Sequence, residues 1–472
     1  MKLSGITARI LLVFCPLLAA CTVGPDYVRP TPVETMPTVY KELEGWKVAQ
    51  PRDGNIPERW WELYNDTALN SLEEQVAVSN LTIAAAEAQF RQARALVQAA
   101  RAGYFPSVSA GASATRSRSS ANLGNGKGGG ATVSDFQLPL DLTWELDLWG
   151  RIRRGVEASQ ANAQASAADL AAVTLSTQAE LASDYFQLRI LDAQKQLLDA
   201  TLATYRKSLE LTNNRYVAGV VARSDVLQAE TQLKTTEAQL IDLDVQRAQL
   251  EHAIALLIGK PPAAFSLPAA PVTTVFPQIP TGLPAELLER RPDIASSERK
   301  MAAANAQIGI AKAAYFPTIR LSGAAGFEAS SLASWFSWPS RFWSVGPAVA
   351  ETLFDGGLRK AQSDQARAAF DATVAAYRET VLAGFQEVED NLAALRILEE
   401  ESRAQDQAVQ AAQQVVSITT NQYQAGTVAY LNVLVAQSTA LANERTALGL
   451  LGRKLTASVL LVKALGGGWI PK

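Results

Sequence analysis

Asn214-Arg215-Tyr216-Val217-Ala218-Gly219 returns as Asn421-Gln422-Tyr423-Gln424-Ala425-Gly426, and Asp225-Val226-Leu227 returns at the same shift as Asn432-Val433-Leu434. Each copy lies near the middle of a run without proline, Pro139 to Pro261 and Pro347 to Pro471. A helix tolerates proline only in its first turn, so each run predicts a long helical hairpin with the repeated glycine at its tip. Gly103-Tyr104-Phe105-Pro106 and Ala314-Tyr315-Phe316-Pro317 form a third pair upstream at almost the same shift. The duplicated unit is therefore most of the chain, and that decides how everything else is read.

Around the tips the apolar residues keep a near-heptad spacing. Leu191, Leu198 and Tyr205 recur at seven, beside Leu181, Leu188, Leu202 and Leu209; Leu434, Leu441, Leu448, Leu455 and Val462 do so in the second repeat. Such stripes predict coiled-coil packing. A helix from Gly150 to about Asn213 spans roughly 95 Å at about 1.5 Å per residue, whereas the return helix from Asp225 to Gly259 covers about half of that. The helix ending at Gly103, and its counterpart from Asp293 to Ala314, have the missing length and are expected to stack end to end on the return helices.

Four stretches alternate with period two instead. Phe136, Leu138, Leu140, Leu142, Trp144 and Leu146 lie on one face, with Asp135, Gln137, Asp141, Thr143, Glu145 and Asp147 on the other. The alternation suits a wall between lipid and water. Val108 to Ala114, Ile319 to Phe327 and Trp343 to Leu353 supply the other three. Four strands cannot stand alone in a bilayer, because open edges leave backbone groups unsatisfied in hydrocarbon. Three copies give twelve strands, which can close.

The N-terminus reads as a secretory signal, with Lys2 and Arg9 ahead of the apolar run Ile10 to Leu18. It ends in Leu18-Ala19-Ala20-Cys21, which resembles a bacterial lipoprotein box and implies acylation of Cys21; Thr22 in the next position implies the outer membrane. A proline-rich leader follows and is expected to lie as a strap on the body. The net charge of -3 among 472 residues offers no footprint for nucleic acid. One histidine, His252, and two cysteines cannot assemble a His/Cys metal cluster or a nucleophile–base pair. No catalytic residue, metal or cofactor is expected, and His252, in an apolar helical stretch, is expected to be structural. Gly124 to Gly130 lacks the Ser/Thr and the flanking strand of a phosphate loop and reads as a loop tip.

Taken in order, Cys21 with Gly24-Pro25-Asp26-Tyr27, Trp60-Trp61-Glu62-Leu63, Trp144 to Gly150, Leu287 to Ile294 and both Tyr-x-x-Gly tips resemble the TolC-like outer membrane factors, in the OprM/NodT-type lipoprotein branch. The resemblance implies an α+β membrane protein: a homotrimeric channel-tunnel whose twelve-stranded β-barrel, four strands per chain, continues into an α-helical coiled-coil barrel. It implies signal peptide 1–20, a lipidated leader 21–60, a first repeat 61–260 with strands at about 107–118 and 134–147 and tip at about 214–225, and a linker 261–291. The second repeat, 292–466, has strands at about 318–328 and 342–353 and its tip at about 421–432, ahead of tail 467–472. The implied partners are a periplasmic adaptor, an inner-membrane transporter of RND type and outer membrane lipid. The implied function is a passive exit duct for small molecules, with a type I protein secretion duct or a structural coiled-coil lipoprotein as alternatives.

By the same resemblance Asn214, Arg215, Tyr216 and Gly219 on one tip, and Tyr423, Gly426 and Thr427 on the other, match adaptor-contact positions. Leu431, Asn432 and Val435, with Asp225, match the periplasmic gate. Family members commonly place carboxylates at the positions of Asn432 or Val435. This chain has neither, so an apolar gate is expected in place of an acidic ring.

Overall fold

Three helices occur twice at identical length. The 22-residue α2, Leu81–Ala102, matches α5, Pro292–Ala313; the 67-residue α3, Arg151–Val217, matches α6, Leu358–Gln424; and the 35-residue α4, Arg223–Leu257, matches α7, Tyr430–Ala464. The computed structural model describes residues 22–32, 37–42, 56–120, 122, 130–272, 276–277, 279 and 287–469. The signal 1–20, Cys21, most of the glycine-rich tip 124–130 and residues 470–472 lie outside the described residues.

The chain packs as two units, and each draws matching segments from both repeats. The first holds the described residues of 22–31, 90–166 and 297–377, the second those of 32–89, 167–296 and 378–469. The repeat is thus a unit of sequence and not of packing.

In the first unit an antiparallel sheet runs from β1, Ser107–Ala110, and β2, Ser113–Arg118, through β3, Thr132–Glu145, and β4, Thr318–Ala329, to β5, Arg341–Ala350. The expected strand at 107–118 is interrupted at Gly111 and Ala112. Ala110↔Leu140 and Ser113↔Gln137 keep one register, so this is a gap and not a bulge. Pro139 causes it: Gly111 N donates to Pro139 O at 3.0 Å, but proline has no N–H to return. The expected strand to Asp147 stops at Glu145 because Asp147 turns to cap α3, accepting from Ile152 N and Arg153 N at 2.9 and 2.8 Å. The expected strand to Leu353 ends at Ala350, which pairs with Thr318 at the start of β4. Large apolar side chains on one face stand open, Val108 and Leu140 among them, as a lipid-facing wall requires. No helix among the described residues is long and apolar enough to cross a membrane.

Over its first described residues the leader lies as the expected strap. Val23 N donates to Trp149 O, Asn305 Nδ2 to Pro25 O and Tyr27 Oη to Glu298 Oε1 at 2.8 Å. Asp26 meets the buried Arg154 guanidinium at 2.7 Å. Gly24 has φ +115°, and a Cβ there would collide with the backbone of Gly309, which is the physical content of the Gly-Pro-Asp-Tyr sequence.

In the second unit the predicted stacking is built twice by the same joint. Asn80 Nδ2 donates to Leu257 O at 2.7 Å, and Arg291 Nη1 to Ala464 O at 3.0 Å. Both bonds take up a carbonyl that the C-terminus of a return helix would otherwise leave unsatisfied. Gly259 and Gly466 follow at positive φ, and a Cβ on either would strike the carbonyl of Ser79 or Arg290. Trp60, Tyr64, Tyr185 and Phe186 form the aromatic centre of the core here. The 262–272 part of the linker is pinned by charge: the buried Asp192 binds Arg189, Arg247 and Ala270 N, while the two arginines donate to Pro268 O and Leu267 O. His252 is exposed on α4.

Glu73 is fully buried on α1, Thr67–Ser79, and neither carboxylate oxygen has a hydrogen-bond partner. Burial raises its pKa well above the ordinary carboxylate range. The folded chain then keeps a proton that the unfolded chain gives up, so stability is lost as pH rises from the unfolded pKa through the folded one. Glu73→Gln is expected to raise the thermal unfolding midpoint at pH 8 while changing it little at pH 4. A variant whose midpoint follows the wild-type pH dependence would contradict this.

Candidate functional site: the two helix-turn tips

The tips are one turn made twice. Gly219 N donates to Tyr216 O and Val220 N to Arg215 O; Gly426 N donates to Tyr423 O and Thr427 N to Gln422 O, all at 2.9–3.0 Å. This paired pattern ends both long helices in a Schellman motif. Gly219 at φ +75° has nothing within 4 Å of a would-be Cβ, so the left-handed backbone alone selects glycine. Gly426 repeats it at φ +77°.

Side chains make the two copies unequal. Arg215 lies 4.5 Å from the ring centroid of Tyr423 and donates to the Tyr423 carbonyl. Thr212 Oγ1 meets Tyr423 Oη at 3.3 Å, and Tyr430 packs edge-on at 5.5 Å. Tyr423, Tyr430, Val433 and Ala229 form a small closed core. Burial there, with Tyr205 and Tyr423 nearby, pushes the Tyr430 hydroxyl up to about 12. Tyr423, matched above to adaptor contact, is only 3% exposed. It cannot offer its ring to a partner in this conformation. Arg215 is likewise committed, as the link from the first tip to the second.

The remaining matched positions are open. Asn214 and Thr427 are exposed, and Tyr216, the counterpart of Tyr423, is 41% exposed. The Thr427 hydroxyl is used within its turn, donating to Gln422 O at 2.9 Å. On α7 the buried face carries Tyr430, Val433, Ala436 and Gln437. Leu431 and Val435, one turn apart, point away from it at 51% and 57% exposure, with Asn432 exposed beside them. An apolar pair bare at a tip, with its own chain packed elsewhere, is the arrangement an apolar constriction needs. Asp225 is half-buried in the first turn of α4, where a carboxylate favours the helix dipole. Thr212, Ala229 and Tyr430 were not singled out in the sequence. The available signal was the pair Tyr423 and Tyr430 flanking the second turn, where the first has Tyr216 and Arg223. Among the described residues no cluster of His, Cys, Asp and Glu could hold a metal.

A lipid-facing antiparallel sheet joined to duplicated long helical hairpins defines a bacterial outer-membrane channel protein. The description "Outer membrane efflux protein" belongs to the family profile that matches residues 72–260 and 283–467. The chain belongs to this family. It is 32% identical to the probable efflux pump outer membrane protein TtgC of Pseudomonas putida over 96% of this chain and 94% of that one. It is 30% identical to the pyoverdine export outer membrane protein OpmQ of Pseudomonas aeruginosa, over 96% and 95%. Among solved structures it is similar to the outer-membrane channel OprN, with TM-score 0.89 and 32% identity over 95% of this chain and all of that one. CusC, solved in a study of transmembrane channel formation, gives TM-score 0.84 at 28% identity with the same coverage. The α+β fold and the outer-membrane location follow.

Proposed function

We propose that three copies of the chain close into one duct, which passes small toxic molecules from a periplasmic adaptor and an inner-membrane transporter of RND type to the exterior. The sheet carries this reading: β1 and β2 at one edge and β5 at the other leave ladder groups unpaired within the chain, and hydrocarbon does not tolerate open edges. Pairing β5 of one copy with β1 and β2 of the next removes every edge. Relatives named for toluene, antibiotic and pyoverdine export favour small molecules over polypeptides as cargo. Asn214, Tyr216 and Thr427 supply the open surface for the adaptor. Discrete conductance steps in planar bilayers are the test; their absence would favour the structural coiled-coil alternative.

The tip ring in this arrangement alternates first and second tips. Within a chain Arg215 reaches Tyr423; between chains the corresponding pair is Gln422 and Tyr216, which lacks the cation. The cation therefore ties the tips within each chain, and opening a chain's pair of tips breaks that link.

Cys21 anchors the duct by lipid, its strap lying on the unit that holds the sheet. Metabolic labelling with a radioactive fatty acid is expected to mark the wild type and to miss Cys21→Ser. Label persisting on the variant would exclude Cys21 as the site.

A further inference from the structure

Pairing assigns every residue at the extracellular end of the sheet to a face. Partners across a ladder share a face, so Ala114 opposite Phe136, Arg116 opposite Ser134 and Arg118 opposite Thr132 all belong to the apolar, lipid-facing side. Arg341 does too, since it pairs with Phe327, which pairs with Leu138. The lumen side at this end carries the acids instead: Asp135 opposite Thr115, and Glu328 opposite Gln137. Neither Arg116 nor Arg118 has a carboxylate partner among the described residues.

The loop between β4 and β5 adds aromatic rings to the same side. Trp335 tilts against Phe136 at 5.8 Å and stacks on Phe336 at 4.9 Å, and Phe336 meets Phe327 edge-on at 5.7 Å. Phe136 and Phe327 are lipid-facing, so this loop folds down the outer wall and not across the barrel mouth. Trp338 is 76% exposed and lies under the Arg341 guanidinium. At the periplasmic end of the same face Trp144 donates from Nε1 to Tyr104 O. From Trp144 to Phe136 β3 takes eight residue steps, roughly 26 Å of strand at about 3.3 Å each. With strands tilted about 40°, the apolar band is about 20 Å tall. Arg116 and Arg118 sit about 7 and 13 Å further along the strand, at headgroup depth.

We propose that this outer rim binds lipids of the outer leaflet that carry phosphate groups. Arg116 and Arg118 take the phosphates, and the Trp335–Phe336–Trp338 loop, held by Arg341 over Trp338, lies on the acyl chains. Unpaired guanidinium groups at the interface call for an anion, and the fork of donors on arginine fits phosphate oxygens. The proposal rests on the outer-membrane placement of the sheet but not on what the duct carries.

Native mass spectrometry of the full-length protein in non-ionic detergent tests it, with diphosphorylated lipid A against the same lipid stripped of phosphate. The wild type is expected to retain the phosphorylated lipid at least about tenfold better. Each of Arg116→Ser and Arg118→Ser is expected to cost roughly fivefold, from about 1 kcal/mol per basic residue near a charged membrane surface. Arg116→Lys with Arg118→Lys is expected to keep most of the preference. Equal retention of the two lipids by the wild type overturns the proposal whether or not any variant folds. Displacement of lipid A by millimolar inorganic phosphate also overturns it, since it would make the rim a site for free anions. Conductance steps in bilayers of neutral lipid, together with no lipid preference, would overturn this proposal and leave the duct intact.

Discussion

Leu431→Ala combined with Val435→Ala is expected to raise single-channel conductance severalfold in planar bilayers and to sensitise cells to antibiotics normally too large to cross the outer membrane. Both side chains are more than half exposed on the face of α7 turned away from its own core. In the proposed trimer six of them would line the axis as an apolar ring, and a narrow apolar pore resists wetting without any charge. Alanine widens the ring and lowers the barrier to water without touching the buried face that holds the hairpin together. Charge provides an independent check. Trivalent cations added from the periplasmic side are expected to block the wild type weakly and Val435→Asp strongly, since the variant assembles three carboxylates at the mouth. Strong block of the wild type would mean that Asp225 already forms an acidic ring, and the apolar gate would be wrong.

The second large effect is expected at Arg215. Its guanidinium joins the first tip to the second through the Tyr423 ring and carbonyl. A cation on an aromatic face and one charge-assisted hydrogen bond together contribute about 2 kcal/mol at a half-buried site, on the order of thirtyfold in the latch equilibrium of each chain. Arg215→Ala is therefore expected to increase the time spent in open states even with Leu431 and Val435 intact. Arg215→Lys should keep part of the closure, as it retains the charge but loses the planar fork. Tyr423→Phe should have the smallest effect, because it removes only the 3.3 Å contact with Thr212. If Arg215→Ala gates like the wild type, the link is structural trim and not a latch.

Much of this was legible in the sequence because it depends on local chemistry repeated twice. Proline-free runs, turn glycines and heptad leucines each act within a few residues, and their duplication at one shift removes the ambiguity of any single copy. The face of each strand was legible for the same reason. What escaped depends on contacts far apart in sequence. Arg215 and Tyr423 are 208 positions apart, and nothing local separates a tyrosine that closes a small core from Tyr216, which stays open. The gap opposite Pro139 follows from a register known only once β1, β2 and β3 are paired. Asp147 reads as a strand carboxylate by alternation and becomes a helix cap because the chain turns there.

The duct and its gate require the sheet to be closed by other copies of the chain. The mass of the purified complex, measured by light scattering with the detergent contribution subtracted, tests that most directly. Three chain masses, unchanged on dilution, are the expected result; a stable particle of one chain mass would contradict both the closed barrel and the duct.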